Sequence, residues 1–178
     1  EEEAARRGLP NKKNTPAALP ALIDPKNIQL MEDFGVLTKI EMESRYEVEM
    51  EHYSKIINIE ALTMLEMARK QLLPAINAYM SEVANTAASK LAISVRSETK
   101  TLTRLSTDAD AMSDAIDALQ AAVDTAEAMT DESAKAVSFH DDVLPKMDAL
   151  RAAADDAETI CGEDYWPLPS YSKMLYYV

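Results

Sequence analysis

Glycine is nearly missing from this chain, with three residues in 178. That scarcity leaves no glycine-rich loop to cradle a phosphate. Cysteine occurs once, as Cys161, so no intrachain disulfide can form. A secretory signal and a long apolar run are also missing from the sequence. Together these absences point to a reducing cytoplasm. Cationic excess is lacking as well. A formal net charge of -13 repels phosphate backbones and anionic headgroups, which disfavours nucleic acid and membrane surfaces as partners. The one basic pair, Lys12 and Lys13, is too small to reverse that and reads as a solvated loop.

What is abundant is Ala, Leu, Met, Glu and Lys, whose intrinsic preferences favour helix almost throughout. The expected class is all-α. A chain of this length buries about two-thirds of the surface its unfolded form exposes, enough for one core. The opening EEEAARRG places Arg6 and Arg7 where a last helical turn favours cations and Gly8 at the stop. It reads as the end of a helix begun elsewhere, so the chain is expected to be a piece of something larger.

Residues 1–37 are expected to form a linker with short helices. Thr15 before Pro16 and Asp24 before Pro25 each resemble an N-cap followed by a first-turn proline, and Gly35 should end the second helix. Residues 38–162 should form the helical domain. Thr38 and Glu41 have capping-box spacing, and a helical pattern continues from them for more than fifty residues. Its middle, from Ile56 to Met67, is apolar on nearly every face, so something must cover it: a self-contained bundle should do so within the chain, whereas an excised piece should leave it bare or pair it with a second copy through Ile57 and Leu65. The break is expected between Ser94 and Glu98. Beyond it Leu102, Leu105, Ala109, Met112, Ile116, Leu119, Val123 and Ala126 step by three and four, the spacing of a packed helix seam. Thr130, Asp131 and Glu132 start a third helix, whose seam of Val143, Met147, Leu150, Ala154, Ala157 and Cys161 should end at Gly162.

Lengths match as an elongated antiparallel three-helix bundle with a long, kinked first helix. Helices of about thirty residues reach about 45 Å, which pairs residues near 65–96, 98–129 and 132–161. Pro74 and Pro145, which follow LLP- and VLP-type triplets, should kink the two parallel helices at one level.

No constellation of catalytic type stands out, and no catalytic, cofactor-binding or metal-binding residue is assigned. Glu49 and His52 form half of the Glu-x-x-His arrangement that di-metal bundles use, but His140 has Val137 rather than an acid three residues earlier. A buried or half-buried His140 with a local hydrogen bond is expected instead. The acids at 108, 110, 114, 117, 124, 127 and 131 read as a solvated helix face. Cys161 sits near a helix C-terminus, where the dipole raises a thiol pKa, and is expected to be unreactive. The methionines read as core fillers.

Four stretches, LPNKKNTPAALPAL, ESRYEVEMEHYSKIINIEALTMLEMARKQLLP, VLPKMDALRAAADDAE and EDYWPLPSYSKMLYYV, resemble consecutive parts of the C-terminal region of type III glutamine synthetases. The resemblance is weakest between about residues 82 and 130. It implies a parent enzyme that joins ammonia to glutamate with ATP and Mg or Mn, through a γ-glutamyl phosphate. It also implies a catalytic core upstream of this segment, so no catalytic motif is carried onto these residues. As partners it implies that core and other copies of the subunit, in a double-ring dodecamer. The alternative is a free-standing helical scaffold. Residues 163–178 hold five of the ten aromatic residues. They are expected to run as an extended tail, with Trp166, Leu168, Tyr171, Leu175 and Tyr177 laid in a groove along the helices.

Overall fold

The computed structural model describes residues 2–97 and 99–176, apart from the side chains of Tyr171 and Ser172. Among the described residues every regular element is helical. Short helices come first: α1 (Glu2–Arg6), α2 (Thr15–Ala18), a 3-10 turn (Leu19–Ala21) and α3 (Pro25–Asp33). The long helix α4 (Lys39–Met67) passes through a π turn (Ala68–Leu72) into α5 (Leu73–Ala92). Then follow α6 (Lys100–Glu127), α7 (Glu132–Ser138), a second π turn (Phe139–Val143), α8 (Leu144–Glu158) and the short α9 (Tyr171–Leu175).

Local chemistry sets these boundaries. Asp24 caps α3 by accepting from the Lys26 amide at 3.0 Å, as expected. At α2 the cap is Asn14 rather than Thr15: its Oδ1 accepts from Ala17 N at 2.8 Å, and Pro16 falls in the first turn. An amide oxygen already placed one residue earlier wins that role. Gly35, at φ 64°, ends α3, and Val36 N reaches Met31 O at 2.9 Å. The capping box forms: Thr38 N donates to Glu41 Oε2 at 2.8 Å and Glu41 N to Thr38 Oγ1 at 3.3 Å. The bond from Thr38 N, and a second from Thr38 Oγ1 to the same carboxylate oxygen at 2.8 Å, hold the Glu41 carboxyl below its ordinary pKa. The break after α5 lies where expected, at Ser94 with φ 59°. Asp131 caps α7 through Ala134 N at 2.7 Å.

Pro74 and Pro145 share a solution. Each stands directly after the first residue of a helix that leaves a π turn, and the amide just before each proline bonds five residues back, Leu73 to Ala68 O and Leu144 to Phe139 O. A proline ring collides with the carbonyl four residues earlier, and the wider turn moves that carbonyl away. The helix α8 stops at Glu158, before Gly162, in a turn closed by Cys161 N to Ala157 O at 2.9 Å.

The chain divides into two compact units, one of Glu1–Glu60 with Val123–Leu144 and one of Ala61–Ala122 with Pro145–Val178. Unit 1 buries Met42, Met50, Val123, Ala126, Ala136, Phe139 and Val143, and Tyr46 Oη and Ser133 Oγ meet at 2.9 Å. Unit 2 buries Leu65, Leu72, Ile76, Leu105, Met112, Ile116, Leu119, Leu150 and Ala157. Each large side chain in these cores contributes about 1.5–3 kcal/mol by leaving water. In unit 2 Arg104 Nη2 joins α6 to α8 through Asp156 Oδ1 at 2.6 Å and Thr159 Oγ1 at 3.0 Å, and Arg69 donates to Gln120 at 2.9 Å.

Candidate docking surface

The residues singled out for chemistry stay apart. Glu49 and His52 lie exposed on α4. His140 is half-buried, with Nδ1 2.6 Å from Asp141 Oδ1, the local partner expected of it. Among the described residues no three His, Cys, Asp or Glu side chains converge as metal ligands would. Cys161 is buried, and burial pushes its thiol up in pKa against a smaller opposing bond from the Gly162 backbone. Open, shallow grooves follow α5 past Ser81, Glu82 and Asn85, and α7 past Asp131, Asp141 and Asp142. No described helix is long and apolar enough to cross a membrane.

One member of the acidic stripe does not belong to a solvated face. Asp108 is 6% exposed, its Oδ2 lacks a hydrogen bond, and Arg104 Nε stands 3.9 Å away. Burial, then the Asp156 charge, raise its pKa, while Arg104 opposes them. The seam spacing of α6 places position 108 beside Leu105 and Ala109, so it turns inward with them.

Unit 1 carries a run of apolar exposure at one corner. Phe34 is 76% exposed, Ile40 78%, Val36 62% and Leu30 51%, all within eleven residues at the corner between α3 and α4. Their neighbours Ile28, Met31 and Leu37 are half-buried, so the corner has an inner and an outer apolar side. Farther along α4, Ile56 and Ile59 are also exposed, while Met50 and Ser54 are buried. The stretch from Ile56 to Met67 is therefore not surrounded. It splits into a covered side and a bare one, and Ile57 and Leu65, the residues expected to pair with a second copy of an excised piece, belong to the half-buried and buried sets.

The aromatic tail departs from the extended course expected of it. Tyr165 and Trp166 both turn back on Gly162 O, and Trp166 is buried with Nε1 unpaired. The Tyr165 ring packs against Tyr79 at 5.4 Å, and its hydroxyl donates to Glu82, which raises the phenol pKa. A Cβ at Gly162 would lie 3.0 Å from Tyr79 Cε2, so a glycine allows this approach. After Pro169, Ser170 Oγ accepts from Lys173 N at 3.4 Å and Lys173 pairs with Glu163 at 3.2 Å, which curls the chain into α9. Leu175, expected in a groove, remains 75% exposed. The Tyr171 side chain and Tyr177 lie outside the described residues.

Sequence reasoning missed the corner residues because it treated LMEDFGVL as the end of a linker and TKI only as the start of a helix. The signal was present: four large apolar residues flank a glycine stop, where a solvated turn would carry polar ones.

The family described as glutamine synthetase C-terminal domain matches residues 1–91. Over 98% of its length the chain is 38% identical to a glutamine synthetase of Butyrivibrio fibrisolvens, of which it covers 26%. At the same coverage it is 30% identical to a type-3 glutamine synthetase of Dictyostelium discoideum and 23% identical to a glutamine synthetase of Bacteroides fragilis, 25% of each being covered. The chain thus spans about a quarter of the length of these relatives.

Proposed function

Because the chain belongs to the glutamine synthetase C-terminal domain family, we propose that it is the noncatalytic helical part of a type III synthetase, serving subunit contacts or oligomer architecture. The observation that carries this reading is the set of bare apolar residues of unit 1, at the α3–α4 corner and farther along α4 at Ile56 and Ile59, an exposure that a monomeric soluble domain would keep small. In this reading residues 1–37 lead from the catalytic region, residues 38–162 form the up-down-up bundle and residues 163–178 fasten it. ATP, Mg or Mn and the ligation of ammonia to glutamate belong to the rest of the parent chain. Its surroundings are the catalytic core and other subunits of a cytoplasmic double-ring dodecamer.

Deleting the counterpart of residues 38–162 from a full-length synthetase tests this. Sedimentation velocity should then show a smaller assembly than the intact enzyme forms. An assembly of unchanged size would overturn the reading.

A further inference from the structure

The apolar corner of unit 1 is presented by a fixed backbone. Gly35 sets the turn, Val36 N is held by Met31 O, Lys39 N donates to Glu32 Oε1 at 3.0 Å, and the Thr38–Glu41 box starts α4. Phe34, Val36 and Ile40 are therefore held outward on an ordered turn, and a partner meeting them would lose little entropy in ordering the loop.

Charge distinguishes the possible occupants. Unit 1 carries eighteen acidic and nine basic side chains, against thirteen and nine in unit 2. Around the corner the imbalance is steeper: residues 24–51 hold eight acidic and three basic side chains. Asp24, Glu32 and Glu41 use their carboxylates as acceptors for the Lys26, Lys39 and Thr38 amides. A second copy laid on this corner would bring acidic rim against acidic rim, within a Debye length of about 8 Å at physiological salt. A surface with an apolar centre and Lys or Arg around it would meet both features. The relatives hold about three-quarters of their chain outside the part that matches, ample surface to supply one.

We infer that the α3–α4 corner, centred on Phe34 and Ile40, seats an apolar, basic-rimmed surface on the remaining part of the synthetase chain, and not a second copy of this segment. This rests on the functional reading above and names the contact within it.

The test mixes the 178-residue chain with a synthetase from the same source truncated before this segment, and measures binding by calorimetry. The wild-type chain should bind, and Phe34→Asp with Ile40→Asp should weaken binding about a hundredfold, as expected for two anchor side chains at an interface. Phe34→Leu should keep most of the affinity. Leu91→Asp with Ile93→Asp, an equally exposed pair in unit 2, should leave it unchanged. Melting curves confirm that each variant is folded. Raising salt from 50 to 300 mM should weaken the wild-type complex. If the wild type binds and the corner variant binds equally well, the corner is overturned while the functional reading stands. If the wild type does not bind the truncated enzyme and deletion also leaves the assembly unchanged, the functional reading itself fails. Self-association of the wild-type chain that the corner variant abolishes would identify a second copy as the occupant and overturn the inference.

Discussion

Two apolar stretches of this molecule behave differently. Along α6, Leu105, Met112, Ile116, Leu119, Val123 and Ala126 are all buried, each where the three-four spacing put it. Between Ile56 and Met67 the density of apolar residues is at least as high, yet Ile56, Ile59 and Leu62 are exposed while Ala61 and Leu65 are covered. A seam with polar residues on its other side specifies which face packs. A stretch apolar all round says only that more than one neighbour is wanted. The neighbours available inside the chain cover one side, and the uncovered side is where the rest of a synthetase is proposed to lie.

The largest effect that would sharpen this contrast comes from the stretch itself. Leu65→Asp buries an unpaired charge and should leave the chain largely unfolded at 25 °C, while Ile59→Asp should stay within about 0.5 kcal/mol of wild type. Urea denaturation followed by circular dichroism distinguishes them, and equal losses would erase the distinction. Next, Leu119→Ala in the seam should cost about 2–5 kcal/mol in the same assay. A smaller cost follows at the start of α4, where Thr38→Ala removes one half of the capping box and should lose about 1 kcal/mol.

Asp108 gives the subtlest test. Its folded pKa is raised above the unfolded value, so its contribution is most favourable at low pH, where it is protonated in both states. That contribution is lost as pH rises through the folded pKa. Asp108→Asn should therefore raise the melting temperature at pH 7 relative to wild type and narrow the difference as pH falls below the ordinary carboxylate range. A difference that grows on acidification would contradict the burial assigned to this carboxylate.

Helix content, the break at Ser94, the stop at Gly35, the box at Thr38 and both seams were legible because each depends on local backbone chemistry or on a period of burial. The π turns were not, since a proline in a helical pattern reports strain but not which of several relaxations relieves it. Asp108 was misplaced for a related reason: in a run of acids its charge outweighed its position one turn from Arg104 and beside Leu105. The tail misled because its two prolines favour extension, whereas its course is set by Tyr165 meeting Tyr79 and Glu82 across sequence distances of more than eighty residues. The candidate surface was half visible, as apolar excess in α4, and half hidden in the corner around Gly35.

The central claim is that helix faces bare in this chain are covered within the parent enzyme. Ile59→Cys tests it directly, because buried Cys161 should react slowly and leave the new thiol as the reporter. Maleimide labelling of that position, followed by peptide mass spectrometry, should be fast in the 178-residue chain and at least tenfold slower in the full-length synthetase carrying the same substitution. Equal labelling rates in the two would contradict the account.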